Sequence, residues 1–390
     1  MNPRVFVLAL STFAFGSGAF IFAGLLEQVA ADLHVATGVA GQLQTTYVLV
    51  SALAGPPLVM WLGKGEKKRI LLISLGLAVV LNLACMAAPG YGALMALRAV
   101  LGGIAAFAGP AASSAASALV PPERRGSALA LVMGGMTIAF MVGIPMGSVV
   151  GAWLGWRATF ALAALLALIA FAAVALFLPR VETPPAPLAA GRFALLAGLP
   201  FWAASFLAFG ANMTISTYLA PIIRLQTGVV GAGVGAFQLM IGVGSFLGLY
   251  LGGRAADRGV GGRTVIAGFV TLAVGAGLHE LELIGGAPAG LATYAVVALA
   301  ILTAATALFS ILPVVQTRLI AAVPHAAPLA LSLNGSASAL GQAFGGAMGG
   351  AMLSAFGAPA ITTSALVTAL VGALFWWGVS ARPRTAQATA

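Results

Sequence analysis

Stretches free of Asp, Glu, Lys and Arg recur along the chain at the length a bilayer demands, about 20 residues for a helix that crosses the hydrocarbon core. They run from Val5 to Leu26, Val39 to Leu62, Ile70 to Ala88, Ala93 to Val120 (interrupted only by Arg98), Gly126 to Trp156 and Ala158 to Leu178. A polar, proline-bearing segment, PRVETPPAPLAAG from Pro179 to Gly191, separates these from six more. The second set covers Phe193 to Ile223, Val229 to Gly253, Thr264 to Leu278, Leu291 to Thr317, Ala326 to Phe356 and Ala358 to Ser380. The first run follows Arg4 but is too long for a signal peptide and has no A-x-A cleavage site, so it is read as a span.

The two sets echo each other. The loop after span 2 is GKGEKKR (Gly63 to Arg69) and the loop after span 8 is GGRAADRGVGGR (Gly252 to Arg263), with Glu66-Lys67 and Asp257-Arg258 at a constant offset of 191 residues. Val120-Pro121 ahead of span 5 matches Val323-Pro324 ahead of span 11. The expected fold is therefore an all-α membrane protein of twelve transmembrane helices in two pseudo-symmetric six-helix bundles. Residues 1–178 form the N-terminal bundle, 179–191 a cytoplasmic linker, and 192–390 the C-terminal bundle with a short cytoplasmic tail. Repeats of this kind suit a carrier that rocks two bundles about a midplane site.

Composition narrows the function. Hydrophobic residues make up 61% of the 390 and charged ones 7%, against about 25% charged in a soluble domain, which excludes a water-soluble globule. The net charge of +10 would suggest nucleic acid in a soluble protein, but here the basic residues lie in the loops. With a cytoplasmic N-terminus, 15 of the 18 Lys and Arg fall on the inner side, and only Arg157 and Arg224 fall outside. The positive-inside rule thus places both termini in the cytoplasm. The single cysteine, Cys85, excludes an internal disulfide. No G-x-S-x-G, H-E-x-x-H or phosphate-binding G-x-x-x-x-G-K-[ST] loop occurs, and His34, His279 and His325 are scattered. The chain reads as a transporter, not an enzyme, with no cofactor and no metal site.

Many of the 51 glycines lie within spans. Gly143, Gly147, Gly151 and Gly155 repeat at steps of four in span 5, Gly244, Gly248 and Gly252 in span 8, and Gly341, Gly345 and Gly349 in span 11. Such stripes let backbones approach closely, either as static packing or as surfaces on which the two halves slide. Pro145 removes a backbone hydrogen bond and is expected to bend span 5.

At GLLEQVAADLHV (Gly24 to Val35), Arg98-Ala-Val-Leu-Gly-Gly in span 4, LVPPERRGSALAL (Leu119 to Leu131), GIPMGSVVGAWLGWR (Gly143 to Arg157), TYLAP (Thr217 to Pro221) and GGRAADR (Gly252 to Arg258), the chain resembles the major facilitator superfamily. The resemblance is to its twelve-span drug/proton antiporter branch, which includes sugar, arabinose and purine ribonucleoside exporters. It implies export of a small solute across the inner membrane by alternating access, with protons as the exchanged ion and the bilayer as the only other partner, by a protein acting as a monomer. It implies a gating loop at Glu66, Asp257 and Arg258, and a cavity lined by the first and fourth spans of each half. The cavity candidates are Arg98, Ser17, Asn212, Thr217, Tyr218 and Thr306, with Gln238 and Asn334 able to reach the same space. The branch often carries a glutamate in span 1, where alignment on Gly24-Leu25-Leu26 puts Ala19.

All eight acids lie outside the midplane. An intramembrane carboxylate is expensive and is the usual proton carrier, so coupling falls to Glu27, Asp32 or His279 at the outer rim. The alternative is an uncoupled facilitator or an importer of a neutral polar solute. Arg98 is the one formal charge within a span and must face the bundle interior, either bonded to a neighbouring helix or turned towards substrate.

Overall fold

In a computed structural model the described residues are 3–62, 65–121, 124–181, 192–286, 290–324 and 327–381. From residue 182 on, the expected linker lies outside them, as do Lys64, Glu123, His325, Arg382 and Arg384. Fifteen described α-helices follow in order: α1 (Pro3–Phe20), α2 (Leu26–Asp32), α3 (Thr37–Leu62), α4 (Lys67–Met86), α5 (Tyr91–Ala118), α6 (Arg125–Ile138), α7 (Ile144–Leu154) and α8 (Trp156–Phe177) make the first half. The second half is α9 (Arg192–Ser216), α10 (Leu219–Thr227), α11 (Ala232–Asp257), α12 (Gly261–Gly285), α13 (Leu291–Ala322), α14 (Ala327–Phe356) and α15 (Ala358–Ala381). Taking α1 with α2, α6 with α7 and α9 with α10 as single passes gives the twelve spans.

Among the described residues, ten passes are long and apolar enough to cross a membrane. The remaining passes, α3 and α14, carry Gln42, Gln44 and Thr45, and Asn334, Ser338 and Gln342. Their polarity has a structural reason: α3 packs on α14 along the seam between the halves, so these faces meet protein instead of lipid. Helices also continue past the charge-free runs. Span 9 reaches Gly285 through Glu280 and Glu282, and α13, at 32 residues, is ~48 Å long, well beyond the hydrocarbon thickness. Charges at such ends lie where water is accessible and do not terminate the helix.

The halves have the same plan. In the first, α1 packs on α6 and α8, α3 on α5, and α4 on α5 and α8. In the second, α9 packs on α14 and α15, α11 on α13, and α12 on α13 and α15. Each pairing has its counterpart, and the last two passes of each half are joined at Gly155 (φ 83°) and Gly357 (φ 84°), a backbone conformation that glycine alone adopts without strain. The seam is α3 on α14 and, on its other side, α7 on α11.

The glycine stripes lie inside the halves. A Cβ at Gly143, Gly147 or Gly151 would run into Ser17, the Ile21 carbonyl or Leu25, all on the first pass. Those at Gly244, Gly248 and Gly252 would meet the carbonyls of Leu302, Thr306 and Ser310, and those at Gly341, Gly345 and Gly349 the carbonyls of Phe206, Gly210 and Thr214. The sliding-surface reading is thereby corrected: each stripe packs two passes of one half together, at backbone contact along α11 and α14 and at Gly147 in α7. The expected bend in span 5 takes the form of a π-helical turn, Ala139–Gly143, just before Pro145. Pro145 offers no N–H to the carbonyl four residues back, and a wider turn accommodates its ring.

Candidate functional site

The first pass of each half is broken at the same depth. The helix α1 stops at Phe20 and resumes, through a turn at Ala23–Leu25, as α2; α9 stops at Ser216 and resumes at Leu219 as α10. Breaking a helix leaves its last carbonyls without intrahelical donors. Arg98 fills that need in the first half. Its guanidinium donates from Nη1 to the Gly18 carbonyl (2.9 Å) and from Nη2 to that of Ala19 (2.6 Å), and its Nε lies 3.4 Å from the Leu43 carbonyl. The Tyr47 ring sits 4.4 Å and the Phe22 ring 5.1 Å from it. A cation at a helix C-terminus is stabilised by the helix dipole as well. Arg98 is fully buried and positions the broken end of α1; it is not among the side chains that line the cavity.

Between the halves lies a cavity that, counted together with adjoining space open to solvent, holds about 850 Å³ of atom-free space. The first half contributes Phe20, Ala23, Gln44, Phe140 and Ile144. Most of the wall comes from the second half, through α9, α11, α12 and α13. Its hydrogen-bonding side chains are Gln44, Asn212, Ser216, Gln238 and His279, with no carboxylate, lysine or arginine among the lining residues. The Ser216 hydroxyl donates to Asn212 Oδ1 (3.0 Å), one turn back on α9. Gln238 Oε1 accepts from Ser148 of α7 at 2.5 Å across the seam. Phe20, Phe140 and Phe309 form a chain of rings with centroids 5.2 and 5.9 Å apart.

Of the cavity residues expected from sequence, the structure brings Asn212 and Gln238 together. Ser17 is buried beneath Gly143, Thr306 bonds to its own helix at Leu302 and lies against the α11 glycines, and Asn334 accepts from Ser205 of α9 (2.8 Å). Thr217 is buried beside Gly346. Tyr218, wholly buried at the α9–α10 break, seals the seam. Its hydroxyl is 3.1 Å from the carbonyls of Gly38 and Gly346 and receives Gln42 Nε2 at 3.3 Å. Gly38 and Gln42 belong to the opposite half. Beside this seal, Arg224 of α10 reaches Glu27 of α2 at 2.9 Å. The polar contacts just named across the seam all fall towards the end away from the chain termini.

The three proton-site candidates have separate surroundings. Glu27 is held in the seam by Arg224, Asp32 pairs with Arg157 and accepts from the Trp156 indole within the first half, and His279 is buried in the cavity wall. His279 is placed deeper than the rim position expected of it. Its partner Gln226 was invisible to the sequence reading, because it lies three residues beyond the charge-free run that ends at Ile223. Phe140 and Phe309 also went unseen, since nothing distinguishes them from other apolar residues of their spans. At the opposite end, Glu66 precedes α4 with Oε1 buried and unpartnered among the described residues, while Asp257 and Arg258 are exposed at the end of α11.

Residues 8–310 match the family model described as Major Facilitator Superfamily. A chloramphenicol resistance protein of Streptomyces lividans is 32% identical over 299 residues, covering 70% of this chain and 73% of the relative. The inner membrane transport protein YdhP of Escherichia coli O157:H7 is 29% identical over 338 residues, 86% of this chain and 84% of the relative. Among solved structures, the peptide transporter POT in complex with sulfate superposes with a TM-score of 0.76 at 15% identity, covering 97% of this chain and 94% of that one. A bacterial homologue of the human lysosomal transporter Spinster, inward-facing and unoccupied, gives 0.67 at 18% identity and covers 97% and 98%. These last two show likeness of fold. With that fold, these relatives and a cavity between paired six-helix halves, the chain belongs to the Major Facilitator Superfamily and is a multi-pass membrane transporter, not an enzyme.

Proposed function

We propose that this transporter exports small, neutral, amphipathic molecules across a bacterial inner membrane by alternating access, in exchange for protons. The observation that carries the reading is the cavity wall, in which neutral hydrogen-bonding groups stand among aromatic and aliphatic side chains without a fixed charge. Such a wall can hold an aromatic body and satisfy a few hydroxyl or amide groups, and it offers no counter-ion to a cationic drug. Chloramphenicol, the compound in the Streptomyces relative's name, is a neutral aromatic amide with free hydroxyls and belongs to this class, as do nucleosides. The basic loops support cytoplasmic termini and a cytoplasmic linker, which makes the sealed end the outer one. Both halves of one chain wall the cavity, in keeping with a working monomer. Glu66, just ahead of α4, and Asp257, at the end of α11, are then the inner gate.

The test is substrate-dependent proton movement in everted vesicles, with chloramphenicol, a nucleoside and a pentose as probes. Proton release from the vesicles on addition of one probe supports antiport and identifies its class. Counterflow without proton movement establishes the uncoupled facilitator instead, a reading favoured by the missing cavity carboxylate. Transport of none of the three refutes the proposed substrate class.

A further inference from the structure

The cavity holds one titratable side chain, His279, and its ring is held in a defined state. Gln226 of α10 donates from Nε2 to the backbone carbonyl of His279 at 2.7 Å. A carbonyl only accepts, so the Gln226 amide is fixed with Oε1 facing the ring, 3.0 Å from Nδ1. Oε1 also only accepts. The proton of the neutral imidazole is therefore on Nδ1, and Nε2 carries the free lone pair. His279 lines the cavity, and its Nε2 makes no hydrogen bond to the described residues.

No ion pair among the described residues involves this ring. Of the elements packed on α12, α15 has no charged or titratable residue and α9 only Arg192 at its first position. Arg224 of α10 is bound to Glu27, and Tyr250, Arg254 and Asp257 of α11 lie at its far end. On α13, Tyr294 packs on Phe237, and Arg318 lies beside Gly261 and Gly262 at the start of α12. On α12 itself, Arg263 is at the same distant start, Glu280 accepts from Thr363, and Glu282, one turn on, has Oε2 buried and without a partner among the described residues.

We infer that His279 Nε2 is where proton and substrate compete: the lone pair accepts either one proton from water or one hydrogen bond from a hydroxyl or amide of the substrate. Occupation by one excludes the other, which gives an exchange of one proton for one substrate molecule without a cavity carboxylate. Gln226 is the positioning residue, since it keeps the acceptor nitrogen on the cavity side. The inference rests on the proposed antiport of neutral donors and names its site.

The experiment uses the full chain with radiolabelled chloramphenicol. Binding and counterflow are measured across the pH range in which the protein stays folded, for wild type, His279→Gln and Gln226→Leu. The expected result is that wild-type binding weakens about tenfold per pH unit once the ring protonates, that the His279→Gln profile is flat whatever its absolute affinity, and that Gln226→Leu moves the wild-type profile along the pH axis. A wild-type pH dependence retained by His279→Gln, or a flat wild-type profile, overturns the inference while leaving export intact. A second measurement does not depend on the probe being a substrate. The chain has three histidines, so nitrogen NMR of histidine-labelled protein, assigned with His279→Gln, reads the ring directly. A neutral ring protonated on Nδ1 that becomes imidazolium on acidification supports the inference, and one protonated on Nε2 or never titrating overturns it. Failure of wild type to move chloramphenicol counts against the proposed substrate, not against His279.

Discussion

Removing one oxygen at Tyr218 is expected to unlatch the seam at the end away from the termini. The Tyr218 hydroxyl has a single proton to give, shared between the carbonyls of Gly38 and Gly346, and it accepts from Gln42. Two of these contacts, those to Gly38 and Gln42, join the halves and exist only while this end is closed. At about 0.5–1.5 kcal/mol net for each neutral hydrogen bond, Tyr218→Phe weakens the closed seam by about 1–2 kcal/mol and leaves the buried ring in place. That is about a 5- to 30-fold change in the ratio of closed to open. The readout is a cysteine at Ala304, on the cavity wall, in a Cys85→Ala background, labelled by a membrane-impermeant maleimide from the side away from the termini. Because labelling requires that side to open, its rate should rise by the same factor. A change under about twofold, with unaltered labelling from the other side, would refute the claim that Tyr218 holds the halves together.

Three further perturbations separate structural from gating roles. Arg98→Ala leaves the broken end of α1 without its donors and should lower stability by about 2–4 kcal/mol, seen as a fall in melting temperature and in folded yield; an unchanged melting curve would exclude the capping role. Gly147→Leu drives a side chain into the Ile21 carbonyl and should reduce folded protein on fluorescence-detected size exclusion, whereas normal yield with impaired transport would restore the sliding-surface reading. Glu27→Gln removes a partly exposed ion pair worth about 1 kcal/mol or less. It should raise labelling at Ala304→Cys from the side away from the termini less than Tyr218→Phe does, and the reverse order would move the latch from the tyrosine to the ion pair.

What the sequence made legible follows from what lipid enforces. Charge-free runs of the right length disclose spans because an unpaired charge in hydrocarbon is expensive, and the same argument put Arg98 inside the bundle. Its acceptors were not legible, because the break after Phe20 that frees the Gly18 and Ala19 carbonyls leaves no mark in composition. The glycine stripes announced close backbone approach, yet period four on one helix says nothing about which helix comes near; all three face partners within their own half. The polar face of α3 was visible as Gln42, Gln44 and Thr45 but divides in use, with Gln42 in the seal and Gln44 in the cavity. Gln226 was missed for a related reason: α10 continues beyond the apolar run, and a sequence-based boundary drawn at the last uncharged residue discards the part of the pass that does not touch lipid.

The short helix α10 then has a role that no single residue of it suggests. It is nine residues long, and Tyr218 at its N-cap and Arg224 within it reach the other half, while Gln226 holds the His279 ring. Coupling between a binding site and a gate needs a physical element whose two arrangements both sites bias. On the proposed competition, a proton on His279 Nε2 would place a positive charge beside α10, one of the helices that reach across the seam at the end away from the termini. On the proposed mechanism, opening that seam would displace α10, and with it the amide that fixes the ring. Protonation and gating would then be read by one helix, without a relay through the first half, where Arg98 and the glycine contacts hold α1, α5 and α7 together.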